Sequence, residues 1–213
     1  MFANTSRIPE DRRVYLLADH LDAVLASGED LKSLCHERAN VFTRRHCSTR
    51  SLSLEAFVAR ARKLEFAAMG HIKLARYYAG ALSRRDDRLS GLARLFASGT
   101  SVVVDAINDI CDSERHAFRD GFDPLVYLRG RGLICEEAGC LRFVDRISID
   151  DRFLLAERIE LGPLLDLCSQ FLELLDKYFD LFQNESETGA LAPLANTPLS
   201  LPALPEPEMR ARP

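Results

Sequence analysis

Three observations predict a mostly α protein, an antiparallel four-helix bundle with a small β-hairpin insertion before the last helix. Four long segments repeat apolar residues three and four apart, so each carries a stripe that only another element can cover. A stretch at about 131–161 breaks this rhythm with turn residues ahead of the last helix. The 213 residues are 47% hydrophobic and 28% charged, which is the balance of a globular domain with a core.

The first helix spans 10–35, with Val14, Leu17, Leu21, Val24, Gly28, Leu31 and Cys35 on one stripe. Pro9, Glu10 and Asp11 suit its first turn, where a missing N–H costs nothing and negative charge meets the positive end of the helix dipole. Ser53 is a plausible cap for the second helix, which runs through Leu54, Phe57, Ala61, Leu64, Ala68, Ile72, Ala75, Tyr78 and Leu82. A third runs from about Asp87 to Phe118 on Leu89, Leu92, Phe96, Val103, Ile107 and Ile110, with Ser98-Gly99-Thr100-Ser101 able to bend or split it. The last follows Gly162-Pro163 and is the most apolar, through Leu164, Leu167, Cys168, Phe171, Leu174, Leu175, Tyr178, Phe179 and Phe182.

Between the third and last helices, Pro124 starts a short helix through Leu128. Leu133–Cys135 and Leu141–Val144 then flank Glu136-Glu137-Ala138-Gly139 as a hairpin. The alternation from Phe143 to Ile149 fits a further strand, and Phe153–Leu161 fits either a strand or a helical turn. The helical domain with its insertion is expected to occupy 1–183. Residues 184–213 hold six of the nine prolines and no helical period, which predicts a disordered tail that cannot bury enough apolar surface to offset its ordering entropy.

No segment has ~18 uninterrupted apolar residues and the N-terminus lacks an apolar signal core, so a cytoplasmic protein with no membrane span is expected, its six cysteines reduced. The net charge of −4 hides a polarity: residues 1–95 carry 17 Lys/Arg against 11 Asp/Glu, and residues 96–213 carry 11 against 21. Such segregation steers partners and says nothing of fold.

The motif-like stretch CHERANVFTRRHC, 35–47, begins and ends in a Cys/His pair. Zinc ligands usually come as spaced chelating pairs, whereas neighbours on a helix point about 100° apart, so Cys35 and His36 are poor co-ligands. Cys135 and Cys140, four residues apart on the hairpin, are a better knuckle, and with Cys35 and Cys47 they could make four thiolates, although the spacing matches no standard framework. Asp105, Asp109, Asp112 and His116 line one face of the third helix, and Asp19 and Asp22 could face them from the first, as a bundle metal site would require; a solvated acidic flank is the simpler reading. Neither a Gly-x-Ser-x-Gly elbow nor a phosphate loop occurs, and His71 beside the second stripe reads as a hydrogen-bonded core histidine. The texture of 89–107 resembles a helix-turn-helix, but its would-be recognition helix presents Asp105, Asp109, Asp112 and Glu114, which phosphates would repel.

The positive charge gathers instead in Arg38, Arg44, Arg45, His46 and Arg50, continued by Arg60, Arg62 and Lys63 and then by Arg84, Arg85 and Arg88. Guanidiniums among hydroxyls suit phosphate or carboxylate recognition. The expected function is therefore a non-catalytic regulatory or adaptor protein that engages a protein partner, preferably acidic, through Arg38, Arg44, Arg45, His46 and Arg50, with self-association through apolar helix faces as a further expectation. The alternatives are a nucleic-acid-associated regulator using the same arginines and a metal-dependent helical enzyme using the Asp/His stripe. No catalytic residue, cofactor or metal is assigned.

Overall fold

The computed structural model describes residues 12–43, 53–84, 88–117, 123–137, 140–144 and 153–188. Among them are six helices: α1 (Arg12–Thr43), α2 (Leu54–Leu82), α3 (Arg88–Gly99), α4 (Ser101–Ala117), α5 (Pro124–Gly130) and α6 (Leu161–Thr188). Four short strands separate the last two, β1 (Ile134–Glu137), β2 (Cys140–Phe143), β3 (Leu154–Leu155) and β4 (Ile159–Glu160). The protein is mostly helical, as its periodicity predicts.

Two of the helices begin at capped positions, and α6 begins at Leu161 with the expected Gly162-Pro163 inside its first turn. The Ser53 hydroxyl accepts the Ala56 amide at 3.2 Å, and Asp123 accepts the Leu125 amide at 2.8 Å ahead of Pro124. Every residue of the predicted first stripe is buried, and Gly28 within it faces α6. A Cβ on Gly28 would lie 2.5 Å from Leu165 Cδ2, so the missing side chain sets the close approach of these two helices.

The predicted third helix divides at Thr100 into α3 and α4. The i to i−4 pattern still crosses the junction, with the Thr100 amide donating to the Phe96 carbonyl and Val104 to Thr100. The buried Thr100 hydroxyl also donates to the Phe96 carbonyl at 2.7 Å, and Ser101 donates to that of Ser98, so side chains compete for the helical acceptors at the break. The Phe96 ring stacks on Phe171 of α6, centroids 4.4 Å apart, which ties α3 across the core.

α1 runs eight residues past its predicted end at Cys35, and α6 runs to Thr188, past the expected boundary at residue 183. β1 and β2 form the predicted hairpin, with Ile134 opposite Phe143 and Glu137 opposite Cys140. The strands take in Glu136 and Glu137, which the sequence assigns to the turn. The ambiguous segment 153–161 holds the second antiparallel pair, Leu154 opposite Glu160 and Leu155 opposite Ile159. The strand expected beyond Val144 and most of the predicted tail, from residue 189 on, lie outside the described residues.

Candidate functional site

α1 and α2 lie against each other along their length and carry nine of the 17 Lys/Arg of residues 1–95. Of the predicted anion site, Arg38 is placed on α1, half-buried, with its guanidinium carbon 5.8 Å from the centroid of the Phe57 ring. Arg44, Arg45, His46 and Arg50 lie outside the residues whose side chains are described. On α2, Arg60 and Lys63 are exposed and Arg62 covers the exposed Phe66 ring at 5.7 Å.

Arg84, the first residue of the third basic group, borders a shallow concavity. Arg13 from the first turn of α1, Tyr77 and Ala81 of α2 and the following Arg84 line this open depression of about 390 Å³. Helical spacing brings Tyr77, Ala81 and Arg84 to one side of α2, since they are four and three residues apart. Tyr77 is 67% exposed, although an aromatic ring of that size gains about 1.5–3 kcal/mol when fully buried. Arg84 Nε donates to the Gly80 carbonyl at 3.3 Å, which holds the root of its fork against the helix end. Two guanidiniums beside an open phenol ring can grip a carboxylate or phosphate and pack an apolar group next to it.

From this concavity an aromatic row follows the outer groove between α1 and α2. Tyr77 meets Tyr78 edge-on, Tyr78 stacks on His20 with centroids 5.6 Å apart, and His20 Nδ1 lies 3.1 Å from His71 Nδ1. Burial and the adjacent His71 lower the pKa of His20, with Asp19 pulling the other way. The sequence reads His71 as a hydrogen-bonded core histidine; it is hydrogen-bonded but only half-buried, and His20 is the partner the sequence leaves unnamed.

The sequence also leaves unpredicted a buried ion pair. Glu65 of α2 and Arg131, just beyond α5, are 1% and 2% exposed, and Arg131 Nε donates to Glu65 Oε1 at 2.8 Å. The same oxygen accepts the Ala156 amide at 3.0 Å, and Arg131 Nη1 donates to Glu157 Oε1 at 2.7 Å. The Arg131 guanidinium sits 4.7 Å above the Tyr127 ring. Burial pushes the Glu65 carboxyl above its ordinary value even with this guanidinium beside it. Ala156 and Glu157 both take left-handed backbone angles, φ 51° and 59°, which non-glycine residues rarely adopt and which a fixed hydrogen bond at Ala156 helps to hold. The pair therefore fastens the β insertion to α2.

The candidate metal ligands do not converge in the described parts. Asp105 and Asp109 are exposed on α4, and Asp109 accepts from Arg158 at 3.0 Å. Asp19 and Asp22 are exposed on α1, while the side chains of Asp112 and His116 are outside the described residues. Cys35 is buried in the core and Cys135 half-buried on β1, with Cys47 and the Cys140 side chain likewise outside. No group of three or more His, Cys, Asp or Glu side chains among the described residues is arranged to hold a metal ion. No described helix is long and apolar enough to cross a membrane.

No family model, curated protein or solved structure matches the chain.

Proposed function

We propose that the protein is a non-catalytic regulatory or adaptor module of the cytoplasm that engages an acidic protein segment through the concavity of Arg13, Tyr77, Ala81 and Arg84. The observation that carries this reading is the 67% exposure of Tyr77 between two arginines, in the half of the chain where positive charge is concentrated. Exposed aromatic and arginine side chains are the residue types that dominate binding energy at protein interfaces. Arg38 adds a basic position toward the other end of α1, and Arg44, Arg45, His46 and Arg50 follow it in the sequence, so an extended acidic partner is the reading that uses both groups.

The scaffold in this reading is an antiparallel bundle of α1, α2, the α3–α4 pair and α6, with α5 and the strands inserted. Its support is the run of buried stripes on all four and the stacking of Phe96 on Phe171. Affinity capture from native extract with the intact chain and with Arg13→Glu/Arg84→Glu tests the function. The reading requires acidic partners that the charge-reversed chain loses. An unchanged set of partners removes the concavity from the account, and retention of nucleic acid that falls steeply with salt favours the nucleic-acid reading.

A further inference from the structure

We propose that the outer face of α2 is the docking surface for an amphipathic helix of the partner, one whose apolar stripe is edged by Asp and Glu. This rests on the acidic-partner reading above and gives that partner a conformation and a longer set of contacts. Phe66, Gly70, Leu74, Tyr77 and Ala81 succeed one another at steps of four, four, three and four residues, which holds them within an arc of about 80° at about 100° per residue. The buried residues of α2, Ala61, Ala68, Ile72 and Ala75 among them, occupy the opposite side. Phe66 and Leu74 are 39% and 43% exposed and Tyr77 67%, so three large apolar side chains stand exposed in one row. The row runs into the concavity of Arg13 and Arg84, which shares Tyr77 and Ala81.

The row has the relief and the charge of a helix-docking face. Gly70 sits between Phe66 and Leu74, and a Cβ there would meet nothing within 4 Å, so no packing within the chain calls for this glycine. A mid-helix glycine weakens its helix relative to alanine, and the gap it leaves can seat a side chain of a second helix between the two larger neighbours. From Phe66 to Arg84 the face is about 27 Å long, so covering it takes a straight element of about five helical turns. Between residues 56 and 84 the one carboxylate of α2 is the buried Glu65, while Arg60, Lys63, Lys73 and Arg84 are exposed. A helix laid along the row meets only positive charge at its edges, to which acidic flanks are complementary.

That charge decides between occupants. A second copy would bring Lys63, Lys73 and Arg84 against the same cations. An anionic membrane surface would extend across α1, where Asp19, Asp22, Glu29 and Asp30 are exposed and repel it. An acidic helix engages the α2 row without meeting those carboxylates.

The test uses the full chain with fluorescent peptides of about 20 residues, enough for those turns, as the probes. One, of Leu, Ala and Glu, places Leu three and four residues apart; a second has the same composition scrambled to no helical period; the third is poly-glutamate. Fluorescence anisotropy is expected to show the patterned peptide binding at least about tenfold more tightly than the scrambled one, and circular dichroism to show it gaining helix when bound. Phe66→Glu and Leu74→Glu are each expected to weaken it at least about tenfold, the loss when a large apolar side chain is no longer covered. Leu95→Glu on α3, equally exposed, is expected to leave it unchanged. Circular dichroism of each variant alone checks that it stays folded. Scrambled peptide and poly-glutamate binding as tightly as the patterned peptide, with loss only in Arg13→Glu/Arg84→Glu, keeps the basic concavity and overturns the helix. Patterned-peptide binding that survives in Phe66→Glu and Leu74→Glu also overturns it, and no binding by any probe overturns both readings. Retention on phosphatidylserine vesicles, or a concentration-dependent dimer, that Phe66→Glu abolishes assigns the face to lipid or to a second copy and overturns the helix as well.

Discussion

Glu65 and Arg131, 66 residues apart in the chain, meet in the interior at 2.8 Å, and the same Glu65 oxygen holds the Ala156 amide in its left-handed turn. Removing one member leaves the other charge buried without its counterion, which costs about 3–5 kcal/mol, whereas replacing both by apolar residues is often neutral. Arg131→Met is therefore expected to lower the denaturant midpoint sharply, and Glu65→Leu/Arg131→Met to recover most of the loss. Urea unfolding of the two variants checks this.

Gly28 allows α1 to approach α6, and Gly28→Ala places a methyl group against Leu165. Overpacking costs about 1–3 kcal/mol and alanine returns about 1 kcal/mol of helix propensity, so a net loss of up to about 2 kcal/mol is expected. Gly28→Ala/Leu165→Ala should lose no further stability from the clash itself, which a double-mutant cycle on thermal unfolding measures.

His20 titrates below its ordinary value, so the folded state binds its proton less readily than the unfolded chain. This contribution to stability is present above about pH 6.5 and is lost as pH falls through the lowered value. His71 and Asp19 act on His20 with opposite sign. The melting temperature should decline between about pH 7 and pH 5, and His20→Gln should flatten that slope. A slope identical in the variant would remove His20 as its source.

Burial raises the pKa of the Cys35 thiol, with the Glu65 charge adding to it, and raises that of Cys168 to about 12. The thiolate is the reactive form, so both should resist iodoacetamide at pH 8 in the native chain. Cys135 is half-buried on β1 and should label first among the three, and mass spectrometry before and after unfolding reads the order.

The helical stripes were legible because burial repeats every three or four residues, and the Ser53 and Asp123 caps mark two starts. Glu65 carries the same signal in disguise. It stands four residues after Ala61 and three before Ala68, on the buried stripe itself, where a carboxylate demands a partner. Its partner could not be read locally, because Arg131 lies in an Arg-Gly-Arg-Gly run that looks like an exposed turn. The division at Thr100 was signalled by its Ser/Gly/Thr neighbours. The concavity and the histidine pair depend on which residues of α1 face which of α2, a relation that one helix's periodicity does not contain.

The most direct test of the acidic-partner account is a photo-crosslinker placed at position 77 of the full chain, irradiated in native extract. The expected product is a protein joined through an acidic segment, absent when Arg13→Glu/Arg84→Glu is added and absent when the crosslinker replaces Leu125 on α5. A product that persists unchanged in the charge-reversed chain, or none at position 77, contradicts the account.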